Sequence, residues 1–185
     1  NIKAIDLSNE NVYATTAICD NLGYGNVDVQ TGNALNLNFS DASFDFVFSN
    51  GVIHHTEDPY RCFLEICRVL KPGGHVLLGI YGYGGVWGKI IHPTGMLLGR
   101  LIPLKLTERF VNATGLMRSQ DRSLLDWLYA PIQKKYRLSE IFRWFADNQL
   151  DTVVSLGSPK RHYRMGLLTR ILFGDGYIYV IGRKV

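Results

Sequence analysis

The chain has 185 residues, 46% hydrophobic and 19% charged, which suits one domain with a sizeable core and excludes wholesale disorder. The formal net charge of +4 hides a split: residues 1–85 hold four basic and nine acidic side chains (net −5), residues 86–185 sixteen and seven (net +9). The longest uncharged stretch, 72–88, is too short and glycine-rich for a bilayer span. The opening NIKAIDLSNE does not read as a basic-then-apolar signal, and three cysteines without a CxxC indicate neither a disulfide framework nor a zinc knuckle. A cytoplasmic protein with reduced, buried thiols is expected.

In chain order, residues 2–6 (IKAID) read as a short buried strand ending on an acid. Ser8 suits an N-cap with Glu10 in the first turn, and the helix is expected to run to about Leu22. A turn at Gly23-Tyr24-Gly25-Asn26 leads into a second strand at 27–30. A third strand, FDFVFS at 44–49, carries the aromatic and β-branched residues that strands favour. Asp58-Pro59 opens a helix, with Asp as cap and Pro at the first helical position. Its apolar stripe is Phe63, Ile66, Cys67 and Leu70, and Pro72-Gly73-Gly74 is expected to stop it before the strand HVLLGIY. From about 84 to 137 the pattern loses regularity, as a cap or insertion does. A helix resumes near Ser139 with Ile141, Phe142 and Phe145 as its buried face, followed by the strands DTVVSL and YIYVIGRKV. Alternating strands and helices predict one α/β domain over 1–185 with a mostly parallel sheet. Its parts are 1–83, 84–137 and 138–185.

In such a sheet, ligands bind at the C-terminal ends of the strands, so Asp6 is placed to accept hydrogen bonds from both hydroxyls of a ribose. It can equally cap the next helix. His54 and His55 offer the evident general base, with a reference pKa of about 6.5. Either can instead anchor its loop, and no third ligand stands at metal-site spacing, so no metal is expected. Gly88-Lys89 fails as a phosphate loop because Tyr83 and Ile90 occupy required positions. Gly82-x-Gly84 fails as GxGxxG because Trp87 stands in the last glycine position.

Four segments matter as an ordered set: AIDLS at 4–8, TGNALNL at 31–37, FDFVFSNGVIHH at 44–55 and RVLKPGGHVLL at 68–78. The set resembles the Rossmann-like, class I methyltransferases that use S-adenosylmethionine, most closely the branch acting on small molecules. It covers residues 2–83 strongly and 121–185 more loosely. The resemblance implies a three-layer α/β/α sandwich with an antiparallel C-terminal strand. It also implies that Asp6 holds the ribose hydroxyls and Leu7 packs on the adenine. Asn33 and Ala34 would then lie at the adenine edge, and Asn50 and Gly51 near the methionine portion. Asn33 stands where the family more often has Asp; both it and Asn50 also suit plain turns. His55, or after it His54, is the candidate catalytic base.

The resemblance also implies a first strand and glycine-rich loop about twenty residues ahead of the acid-tipped strand, whereas five residues precede Asp6. The expectation is an incomplete domain that binds the cofactor poorly on its own. The basic excess (Lys134, Lys135, Arg137, Lys160, Arg161, Arg164, Arg170) can receive an anionic substrate or rest on an acidic membrane surface, or be a solvated loop. Asp126, Trp127, Tyr129 and Tyr136 fall where related enzymes place substrate-side residues. The expected activity is methyl transfer to a small-molecule or lipid-like acceptor. A catalytically inactive binding or scaffold protein is the alternative. Nucleic-acid methylation is disfavoured because Asn50-Gly51-Val52-Ile53 replaces Asn-Pro-Pro-aromatic, and a nicotinamide oxidoreductase lacks any hydride-transfer signature.

Overall fold

A computed structural model describes residues 1–83, 132–156 and 176–185, with 85, 86, 94, 97, 101–107, 109 and 129 between them. Most of the expected cap, with Asp126 and Trp127, and the cluster Lys160, Arg161, Arg164 and Arg170 lie outside the described residues.

The first two strands pair in parallel around one crossover helix. β1 (Ile2–Asp6) runs beside β2 (Val27–Thr31) in a register from Ile2 opposite Val27 to Asp6 opposite Thr31. The connecting α1 (Asn9–Asn21) starts where Ser8, in extended conformation, accepts the Asn11 N–H at 3.3 Å. A second, four-stranded sheet has the order β3 (Phe44–Asn50), β4 (Leu70–Tyr81), β6 (Tyr177–Lys184), β5 (Leu150–Leu156). β3 and β4 are parallel, and β6 runs antiparallel to both of its neighbours. The C-terminal strand is thus the reversed one, as the resemblance implied. Among the described residues no ladder joins the two sheets, and β1 and β3 each keep an unpaired edge.

α2 (Pro59–Val69) connects β3 to β4 after a single 3₁₀ turn at Ile53–His55. Asp58 accepts the Arg61 N–H at 3.0 Å and Pro59 takes the first helical position, the opening the sequence predicts. α3 (Leu138–Asp147) begins with the Glu140 carboxylate accepting the Arg137 N–H at 2.6 Å. The core gathers Cys62, Phe63, Ile66 and Cys67 of α2, Leu70, Val76, Leu78 and Ile80 of β4, Ile178 and Val180 of β6, and Ile141 and Phe145 of α3. Each large side chain in that set contributes about 1.5–3 kcal/mol by leaving water. The thiols are free; Cys62 and Cys67 are buried as expected, whereas Cys19, on the exposed α1, is only half-buried. By contrast, α1 buries none of its residues, and Phe46 and Phe48 on β3 are more than half exposed.

Three details differ from the sequence expectation. β1, expected to be buried, holds no fully buried residue, and Ile2 is 53% exposed, because among the described residues β2 is the one strand that pairs with it. Pro72-Gly73-Gly74 does not separate helix from strand: α2 ends at Val69, Leu70 already pairs with Phe44, and the register shifts before Phe46 meets His75. The extra residues form an irregularity inside β4, with Gly73 at φ +77°. A side chain at Gly74 would stand 2.9 Å from the Lys71 carbonyl. In α3, Phe142 points away from the core that Ile141 and Phe145 enter and is 37% exposed. Among the described residues no helix is long and apolar enough to cross a membrane.

Candidate active site

Asp6 is the last residue of β1, and its carboxylate is fixed by the start of α1. Oδ1 accepts the Ser8 N–H at 2.8 Å, and the Asn11 side-chain amide reaches both oxygens at 3.2 Å. Both readings of Asp6 therefore meet in one group. It anchors the helix entry, and Oδ2, with one donor against two on Oδ1, retains a lone pair for a further donor. Leu7, next to it, is 73% exposed and presents an apolar surface that a flat ring can cover.

β2 delivers the loop that follows it to the same neighbourhood, since the Gly32 N–H donates to the Asp6 carbonyl at 2.9 Å. Gly32 has little room to spare: an added Cβ would stand 3.1 Å from the Ile5 side chain. Asn33 folds its Oδ1 onto the Leu35 N–H at 2.9 Å, the turn-forming role the sequence left open. Its two amide donors remain, so Asn33 suits a ring-nitrogen acceptor better than an amino group. Ala34 and Leu35 pack against the main core.

The segment beyond that loop is held from α2. Arg68 spends all five guanidinium donors there: on the Phe39 carbonyl at 2.7 Å, the Leu37 carbonyl at 2.8 Å, Asp41 at 2.7 Å, and both oxygens of Glu65 at 3.1 and 2.8 Å. Glu65, 4% exposed, accepts the Leu37 N–H at 2.8 Å as well. Hydrogen bonding to Arg68 holds the Glu65 carboxyl below its ordinary pKa, and the same pairing holds the Arg68 guanidinium above its own. Sequence reasoning did not single out this pair. The three-residue helical spacing of Glu65 and Arg68 was its available signal.

Asn50 ends β3, and its Oδ1 accepts the Tyr177 Oη–H at 3.0 Å. Gly51 follows at φ +77°, and its N–H donates to the Gly79 carbonyl at 3.0 Å. The chain then enters the 3₁₀ turn that carries the two histidines. His55 Nδ1 lies 2.8 Å from the Ile132 carbonyl. A carbonyl only accepts, so Nδ1 carries the proton and Nε2 keeps the lone pair a base needs. His54 is different: it is fully buried, its rings lie 4.2 Å from His55 and 4.0 Å from Tyr81, and neither ring nitrogen has a partner among the described residues. Desolvation, with the His55 charge adding to it, pushes its pKa down to about 3. It stays neutral near pH 7 and is closed off from any acceptor, so of the two candidates only His55 is placed for proton transfer.

Asp6 and Leu7 thus sit at the end of β1 and Asn33 and Ala34 on the loop after β2, in the two-stranded unit, whereas Asn50 ends β3 of the four-stranded sheet and Gly51 and His55 follow it. Of the expected substrate-side residues, Tyr136 bonds across to β4, its N–H donating to the Tyr81 carbonyl at 3.0 Å, while Tyr129 donates to the Ile102 carbonyl at 3.0 Å. The Lys134 ammonium, expected to be free for an anion, donates to the Glu57 carbonyl.

Residues 1–78 match the family model described as a methyltransferase domain. Over 52 residues the chain is 48% identical to phosphoethanolamine N-methyltransferase 2 of Caenorhabditis elegans, a match covering 28% of this chain and 12% of that protein. Over 76 residues it is 34% identical to a demethylmenaquinone methyltransferase of Bacillus velezensis, covering 41% and 33%. The chain therefore spans no more than about a third of the length of these curated relatives. The solved structure of the YcgJ protein from Bacillus subtilis superposes with a TM-score of 0.62 at 21% identity, covering 98% of this chain and 81% of that one, which supports the fold. Residues 1–78 thus match a methyltransferase domain, and the fold built on them is that of the YcgJ structure.

Proposed function

We propose that the protein transfers the methyl group of S-adenosylmethionine to a small-molecule or lipid-like acceptor. The observation that carries the reading is the Asp6 carboxylate, ending a parallel strand and held by Ser8 and Asn11 with a lone pair of Oδ2 to spare. The donor set suits the cofactor from end to end. Asp6 offers acceptors to the ribose, Leu7 an apolar surface to the adenine, Asn33 donors to its edge, and Asn50 with Gly51 polar backbone and amide groups to the amino-acid end.

When bound, S-adenosylmethionine supplies a methyl group on a cationic sulfur, already a strong electrophile. The chain's own contribution is then alignment, on the order of 7–11 kcal/mol in well-oriented systems, and proton removal from the acceptor. His55 Nε2 takes that proton while Nδ1–H stays on the Ile132 carbonyl, which stabilises the imidazolium as it forms. Relatives named for a phosphorylated amine and for a quinone precursor both favour a small acceptor over a macromolecule. The basic back half supports an anionic acceptor or an acidic lipid surface. The test is incubation of the protein with S-adenosylmethionine and panels of amine, phenol and quinol acceptors. Mass detection of a product heavier by one CH₂ supports the reading. S-adenosylhomocysteine release with no methylated acceptor in any panel contradicts it.

A further inference from the structure

Tyr177 lies outside the 78 residues matched by the family model and 127 positions from Asn50, yet the two side chains meet at 3.0 Å. The contact is shaped from several directions. Tyr177 opens β6 opposite Tyr81 in the ladder with β4, and its ring packs 5.3 Å from Tyr81 and 4.8 Å from Tyr179. β3 places Asn50 opposite Gly79, where an added Cβ would stand 2.2 Å from the Asn50 Oδ1. Only a residue without a side chain at 79 admits the Asn50 amide in this position. A Cβ on Gly51 would approach the Tyr177 hydroxyl to 3.1 Å. Burial, with Tyr179 and Tyr81 alongside, pushes the Tyr177 phenol well above its ordinary pKa, so it remains a donor at any working pH.

We infer that Tyr177 is a positioning residue: its hydroxyl holds the Asn50 carbonyl over Gly79, so that Asn50 presents only its amide donors to the carboxylate of the cofactor's amino-acid end. The chemical consequence is polarity. A freely rotating Asn offers a donor or an acceptor with equal ease, whereas an Asn whose Oδ1 is turned onto the Tyr177 phenol and over Gly79 turns its Nδ2–H donors the other way, and these suit a carboxylate and not an ammonium. The inference rests on the placement of Asn50 at the cofactor proposed above.

A ligand-independent readout comes first. In the ¹⁵N-labelled protein the Asn50 side-chain amide gives one dispersed pair of resonances, and Tyr177→Phe, which keeps the ring and its packing, moves it to averaged positions. An Asn50 pair already averaged in the wild type, or unmoved in the variant, overturns the proposal. Calorimetry with S-adenosylmethionine then completes a cycle. Asn50→Ala and Tyr177→Phe each weaken binding about three- to tenfold, and the double variant binds no more weakly than Asn50→Ala alone. Asn50→Asp, which sets one carboxylate against another, binds more weakly than Asn50→Ala. Additive losses, or an Asp variant that binds more tightly than the Ala variant, overturn the proposal. If Asn50→Ala binds normally while Asp6 variants do not, the Asn50 placement falls and the positioning role with it. If Asn50→Ala weakens binding and Tyr177→Phe does not, only the positioning role falls.

Discussion

His55 Nδ1 and the Ile132 carbonyl stand 2.8 Å apart across 77 positions of sequence, and that bond selects the tautomer of the histidine. With the proton committed to Nδ1, Nε2 is the basic nitrogen. His55→Asn retains a donor near the Nδ1 position and deletes Nε2. It is expected to lower kcat roughly 10²-fold, at the low end for a general base, with the cofactor Kd little changed. Steady-state kinetics over pH ~6 to ~9 check this, and a variant with full activity across that range retires His55 as the base.

His54 carries a different, structural consequence. Its imidazole is held neutral, with a pKa near 3 against about 6.5 in an unfolded chain. Above about pH 6.5 both states are unprotonated at this site and stability does not depend on it. As pH falls below that value the unfolded chain gains a proton that the folded chain refuses, so stability drops until the folded pKa is reached. The slope is at most about 1.4 kcal/mol per pH unit. His54→Phe fills the same aromatic packing against His55 and Tyr81 without a titrating group. Urea midpoints measured from pH 7 to pH 4 should fall steeply in the wild type and less steeply in the variant. Parallel curves contradict the burial argument.

The Glu65–Arg68 clamp predicts a coupling between stability and the loop after Asn33. Glu65→Gln replaces one acceptor facing Arg68 with a donor and should destabilise the chain by about 1.5–3 kcal/mol, the scale for hydrogen bonds to a charged group. The Glu65 pKa lies below its unfolded value, so this contribution is present above the unfolded pKa and is lost as pH falls through the folded one. Denaturant titration at pH 7 gives the magnitude. A Glu65→Gln variant of unchanged midpoint shows that Arg68 alone holds residues 37–41.

The elements that local signals specify were legible in the sequence. Asp58-Pro59 opens α2 where the capping chemistry requires it, and Asp6 ends β1 with the acid at the tip. The four ordered segments pointed to the fold as well as to the cofactor. What escaped notice depends on long-range pairing. Tyr177 reads as one more aromatic in a strand until β6 inserts between β4 and β5 and brings it to Asn50. Phe142 and Phe145 are equivalent in composition, and the rotation of α3 on the sheet decides which is buried. The Pro-Gly-Gly segment carries a strong turn signal, yet pairing of Leu70 with Phe44 draws it into β4 as an irregularity. The two histidines are adjacent and chemically identical, and only burial on one side and the Ile132 carbonyl on the other separate their roles.

If Asp6 grips the cofactor, calorimetry with Asp6→Asn will read the loss of its charge. Asn keeps an acceptor for the Ser8 N–H and so spares the entry to α1, while removing the charge that strengthens bonds to ribose hydroxyls. S-adenosylmethionine is expected to bind Asp6→Asn about tenfold or more weakly than the wild type, a loss of about 1.5 kcal/mol. An unchanged Kd in a variant of unchanged unfolding midpoint would remove Asp6 from the site.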